Sequence, residues 1–151
     1  MRNDLYFDEN EFINEISGIL KDAFKDAEWL NLFDKKRVKI IYDYNEEIKT
    51  FPSVVVTLDD SYVHTQTSDS EQINNHTRLL LRINIYTKAN SQYSARYLAT
   101  AISQRIIQAI QMSIGLECNL NQNIPALDRE VFRKLLSFEG IIDNKTKVYF
   151  R

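Results

Sequence analysis

Between Thr77 and Lys88 the chain alternates apolar and polar positions. Leu79, Leu81, Ile83, Ile85 and Thr87 fall on one side, and Leu80, Arg82, Asn84 and Tyr86 on the other. A period of two is the mark of a strand. At about 3.3 Å per residue it would run roughly 40 Å, against a usual length of about 5–6 residues. That length predicts a strand projecting past its own domain. A second pattern, with helical spacing, follows from Ala89 to Leu116, opening at Asn90 or Ser91 and stopping at Gly115. Its core stripe is Ala95, Leu98, Ala99, Ile102, Ile106, Ala109, Ile110 and Ser113.

Upstream, Phe12, Ile16, Ile19, Leu20, Ala23 and Ala27 recur at helical spacing. Asp8 is placed to cap this helix, with Glu11 reaching back as in a capping box and Phe7 packing on Phe12. The helix should end between Phe24 and Phe33, where Trp29, Leu30, Leu32 and Phe33 form an apolar cluster. Arg37–Tyr42 reads as a strand closed by the polar turn 43–47. Phe51-Pro52 introduces Ser53–Leu58, whose β-branched run predicts burial on both faces. Residues 59–76 are polar and without period, an excursion of a length that is usually functional or mobile. A polar connection through Pro125 leads to a terminal hairpin, Arg129–Ile142 and Thr146–Arg151, turning at Asp143-Asn144-Lys145.

The predicted order is α-β-β-β-α-β-β. It describes an α+β fold, a mainly antiparallel sheet with two helices packed on one face. At 151 residues the chain suits a single domain over 1–151.

Composition changes the picture at one place above all. Arg96 and Arg105 are the only ionised residues of the long helix. Its non-core side is Tyr93, Tyr97, Thr100, Gln104, Ile107, Gln111 and Met112, whereas a solvated face normally carries Lys and Glu. Interfaces favour Tyr, Met and Arg and deplete Lys and Glu, so this side predicts a protein-covered surface. Overall charge is −2, too near neutral for a general nucleic-acid binder. It divides unevenly, −6 over residues 1–34 and +4 over the rest.

Candidate chemistry is sparse. Asp59, Asp60, His64, Asp69, Glu71 and His76 surround the polar excursion, but without a His-x-x-x-His pair or a Gly-shaped ion loop. Cys118 is the sole cysteine, has no neighbouring His, and reads as a small buried hydrophobe. Three scattered glycines make no phosphate-binding fingerprint. The terminal hairpin interleaves Arg129, Arg133, Lys134, Lys145, Lys147 and Arg151 with aromatics, yet four acids dilute it. No segment is apolar enough for a membrane span or a signal peptide. The expectation is a non-enzymatic protein without cofactor or metal, made in a reducing cytoplasm.

Several patterns together resemble one family. They are Phe51-Pro52-Ser53-Val54-Val55-Val56 before a polar loop, and Asn84-Ile85-Tyr86-Thr87-Lys88 running into a helix. Val131-Phe132-Arg133 then leads through Ser137-Phe138-Glu139-Gly140 to Asp143-Asn144-Lys145-Thr146 and Tyr149-Phe150-Arg151. This resembles the tail-terminator and tail-completion (head–tail joining) proteins of long-tailed bacteriophages, over roughly residues 9–151. The resemblance implies a hexameric ring in the virion that caps the tail tube protein and meets the head connector or neck protein. DNA would pass through its lumen without sequence recognition. It supplies no catalytic residues.

On this reading Tyr93, Tyr97, Gln104 and Gln111 make the subunit interface. Tyr62, His64, Arg129, Arg133 and Lys134 contact the tube or connector. A neck or adaptor protein at the head–tail interface, a dimeric binding module, and a metal-dependent hydrolase using Asp59, Asp60, His64 and His76 are the alternatives.

Overall fold

In a computed structural model, residues 8–42, 48, 50–63, 76–125, 129–143, 146 and 148–150 are described. The elements are α1 (Glu9–Ala23), α2 (Ala27–Leu32), β1 (Lys39–Tyr42), β2 (Ser53–Val63), β3 (His76–Lys88), α3 (Ala95–Ile114), β4 (Glu117–Ile124), β5 (Val131–Asp143) and β6 (Tyr149–Phe150).

Five strands lie in the order β1-β2-β3-β5-β4, and β6 pairs with β5. Among the described residues only β1 runs parallel to its neighbour, and the other pairings are antiparallel. The fold is α+β as expected, with a mainly antiparallel sheet and helices on one face. α1 packs over β1 and β2, while α3 lies against α1, β3, β5 and β4.

Strand β3 organises the sheet. Leu79, Leu81, Ile83 and Ile85 are fully buried in the core, with Val54, Val56, Leu136 and Phe138 beside them from the flanking strands. Ile16, Leu20, Ile102, Ile106 and Ile110 close the core from the helix side. Each fully buried side chain of this size stabilises the fold by about 1.5–3 kcal/mol relative to exposure. The expected projection of β3 does not occur. All of its residues from His76 to Lys88 are paired with β5, which is equally long.

Strand β2 continues through Asp59 to Val63, across a register shift between Leu58 and Asp60, where a loop was expected. The long β3 supplies the backbone partners that the polar sequence does not advertise. The β-branched run behaves as its composition implies, with Val54, Val55 and Val56 all buried.

Three departures concern element boundaries. The first helix stops at Ala23, and a short α2 carries Trp29, whose ring meets Phe24 edge-on at 4.9 Å and lies 6.1 Å from Phe33. Helix α3 begins at Ala95, capped by Ser94, whose hydroxyl accepts from Tyr97 N at 3.1 Å. Before it, Asn90 Oδ1 accepts from the backbone N–H of Gln92 and Tyr93, at 3.0 and 2.8 Å. That side-chain turn satisfies the groups a helix would have used. The supposed polar connection before Pro125 contains β4, an additional strand.

Asp8 caps α1 as expected, accepting from Glu11 N at 3.1 Å. Phe7 and the proposed Phe7–Phe12 contact lie outside the described residues, as do the 43–47 turn and the Asn144-Lys145 part of the terminal turn. The hairpin strands are Val131–Asp143 and Tyr149–Phe150: the first starts two residues later than expected, and the second starts three residues later, on the turn side.

Candidate assembly surface

The exposed side of α3 is set by its buried side. Leu98, Ala99, Ile102, Ser103, Ile106, Ala109, Ile110 and Ile114 turn inward, while Ala95 is half-buried and Ser113 exposed. Tyr97, Gln104, Gln108 and Gln111 are then left outward at spacings of seven, four and three, a single stripe along the helix. Tyr97 is 54% exposed and Met112 78%. Thr100 and Ile107 are half-buried at the margin of the stripe.

Tyr93 is not a helical residue, because α3 starts two positions later. It nonetheless joins the stripe. Its ring stacks on that of Tyr97, with centroids 4.7 Å apart and planes 10° from parallel. The flat aromatic pair fixes the exposed ring of Tyr97, so less side-chain entropy remains to be lost on contact.

The helix's two charges have separate roles. Arg96 is exposed. Arg105 Nε donates to the carbonyl of Ala23 at 3.0 Å, and Nη1 to Gln108 Oε1 at 3.1 Å. Ala23 is the last residue of α1, so the guanidinium satisfies a carbonyl that the helix end leaves open. Beside this tie, an open groove of about 560 Å³ separates α1 from α3, lined by Ile19, Asp22, Arg105, Ala109 and Met112 among others.

The remaining candidates are not gathered into one place. Tyr62 lies on β2, in register with Arg78, and His64 lies outside the described residues. Arg129 is exposed in the turn before β5. Arg133 and Lys134 are consecutive on β5 and so point to opposite faces of the sheet. Arg133 Nε and Nη2 both donate to Asn84 Oδ1, at 3.0 and 2.8 Å, and its guanidinium sits 5.5 Å from the Tyr86 ring centre. Lys134 Nζ donates to Asn123 Oδ1 at 3.2 Å.

Gln108 is the stripe residue that the sequence reading passed over. Its place four residues after Gln104 was the available signal. Among the described residues no group of three or more His, Cys, Asp or Glu is placed to hold a metal ion. His64 of the hydrolase alternative lies outside them, as do Asp69 and Glu71 of the wider acidic cluster. Cys118 is half-buried on β4, its thiol donating to the Leu120 carbonyl at 3.2 Å, and burial pushes its pKa up, away from the reactive thiolate. No helix among the described residues is long and apolar enough to cross a membrane.

No protein-family model matches the chain, and no curated protein matches it. Among solved structures it is similar to the sheath/tube terminator of PVC, an extracellular contractile injection system, seen by cryo-EM in the extended state. The TM-score is 0.44 at 9% identity, and the match covers 97% of this chain but 58% of that one, so this chain spans less than two thirds of that structure's length.

Proposed function

We propose that this chain is a structural subunit that associates with copies of itself in a ring, capping a tail tube and ending its polymerisation. The observation that carries the self-contact is the outward stripe of α3. Tyr97, Gln104, Gln108 and Gln111 expose aromatic and amide surface without a carboxylate or ammonium group among them. A face of that kind buries no charge when it is covered and offers an amphipathic aromatic anchor. Tyr97, pre-positioned by Tyr93, is the anchor. The tube and the joint to a head connector or neck protein come from the resemblance of the strand, helix and hairpin patterns to tail-terminator proteins. A ring of six is the stoichiometry that resemblance implies. Its contacts would be heterologous, closing only at the right rotation.

Native mass by light scattering, from low to high micromolar protein, tests the reading. A species of six subunits, or a multiple of six, is expected for the wild type. The substitution Tyr97→Glu should abolish it while leaving the circular dichroism and melting temperature of the subunit unchanged, because the side chain is outside the core. A Tyr97→Glu protein that assembles like the wild type would overturn the α3 contact.

A further inference from the structure

Strand β4 ends the sheet on the side away from β1, and among the described residues no strand pairs with its outer edge. Edges normally carry guards, such as Lys side chains, Pro or very short length. The opposite edge has them. β1 is four residues long, opens on exposed Lys39, and is preceded by exposed Lys35, Lys36 and Arg37. β4 is eight residues long and carries no charge from Cys118 to Ile124. Its register shift lies near one end, between Cys118 and Leu120, which leaves Leu120–Ile124 as a regular run. Leu120 is 39% exposed, and Asn119, Asn121, Gln122 and Asn123 are exposed amides, of which Asn119 donates to Glu139 and Asn123 accepts from Lys134.

We propose that this edge is a docking surface for a second copy of the same chain, the two β4 strands pairing antiparallel about a two-fold axis. Three features select that occupant. A primary amide both donates and accepts, so a row of Asn and Gln is complementary to itself when a strand meets its own copy. The guarded β1 edge is a poor alternative partner. Charge then decides the direction. One end of the β4 edge has Glu117 opposite Glu139, whose carboxylate also pairs with Arg78, and the other has Asn123 and Ile124 opposite Lys134 and Arg133. Parallel pairing would set acid beside acid and base beside base. Antiparallel pairing sets the acidic end of each copy toward the basic end of the other.

Such a contact is isologous and cannot be the repeating contact of a closed ring of six. It therefore stands apart from the α3 stripe and is tested with that stripe disabled. In Tyr97→Glu protein, sedimentation velocity should show a concentration-dependent dimer. Hydrogen exchange should slow at the outward amides of residues 120–124 as concentration rises. Adding Asn121→Lys and Gln122→Lys places two charges on exposed positions of the edge. It should raise the dimer dissociation constant by roughly tenfold or more and abolish the concentration-dependent protection. A Tyr97→Glu protein that stays monomeric with unchanged exchange at every concentration would overturn the proposal. So would a dimer that forms without protection of residues 120–124, or one that survives both lysines. Loss of the six-subunit species in Tyr97→Glu concerns only the ring, so the two readings fail separately.

Discussion

Tyr149 links β6 to α1. Its hydroxyl donates to Glu15 Oε2 at 2.8 Å, and its ring centre lies 6.0 Å from that of Phe12. Burial, the hydrogen bond to Glu15 and the charges of Glu15 and Glu11 push its phenol well above the ordinary value of 10.0. The phenol is therefore held protonated in the folded state more firmly than in the unfolded one. Its contribution to stability is complete below about pH 10 and is lost as pH climbs from there toward the raised folded value. Tyr149→Phe should lower unfolding stability by about 1 kcal/mol at neutral pH, a modest figure because the bond is partly solvated. The gap between wild type and variant should narrow above about pH 10. Urea titrations of both proteins across that range check it. A gap that widens with pH would reverse the assignment.

At the scale of elements, Gly115 ends α3 with φ of +70°, and its N–H donates to the carbonyls of Ile110 and Gln111 at 3.2 and 3.1 Å. A methyl group there would meet nothing within 4 Å. Gly115→Ala should thus cost about 1 kcal/mol through backbone strain alone, seen as a lower urea midpoint with an unchanged slope. This stop was legible because glycine interrupts a clear helical period. The start of α3 was not. The Asn90 turn competes locally with the first helical turn, and nothing in the spacing of apolar residues distinguishes the two. Strand β3 was legible through Leu79, Leu81, Ile83 and Ile85, since one buried face imposes a period of two. β4 was invisible for the complementary reason. Only Cys118 and Ile124 are even half-buried, so no hydrophobic alternation marks it, and pairing with β5 alone defines it. The uncharged side of α3 could be read directly, yet which of its residues share one stripe depended on where the helix begins.

For the molecule as a whole, the core is built by β3 and its neighbours under α1 and α3, and the polar candidates are distributed over both faces of the sheet and its margins. Charge has a segregated layout too. The acidic surplus belongs to residues 1–34, while the longest helix contributes only two arginines. The bond from Arg105 to the α1 carbonyl turns that guanidinium toward the end of α1, where it keeps its charge. The stripe itself, Tyr97, Gln104, Gln108 and Gln111, carries no charged side chain. Association through it should proceed without long-range steering and respond little to salt, since there is scarcely a field for counter-ions to screen. The proposed six-subunit species should persist from roughly 0.05 to 1 M salt, and dissociation at the upper end would show that charges elsewhere carry the contact. A particle held by such joints would keep its cap through changes of ionic surroundings that loosen charge-matched complexes. A row of uncharged side chains would thereby set a tolerance that shows only on leaving one solution for another.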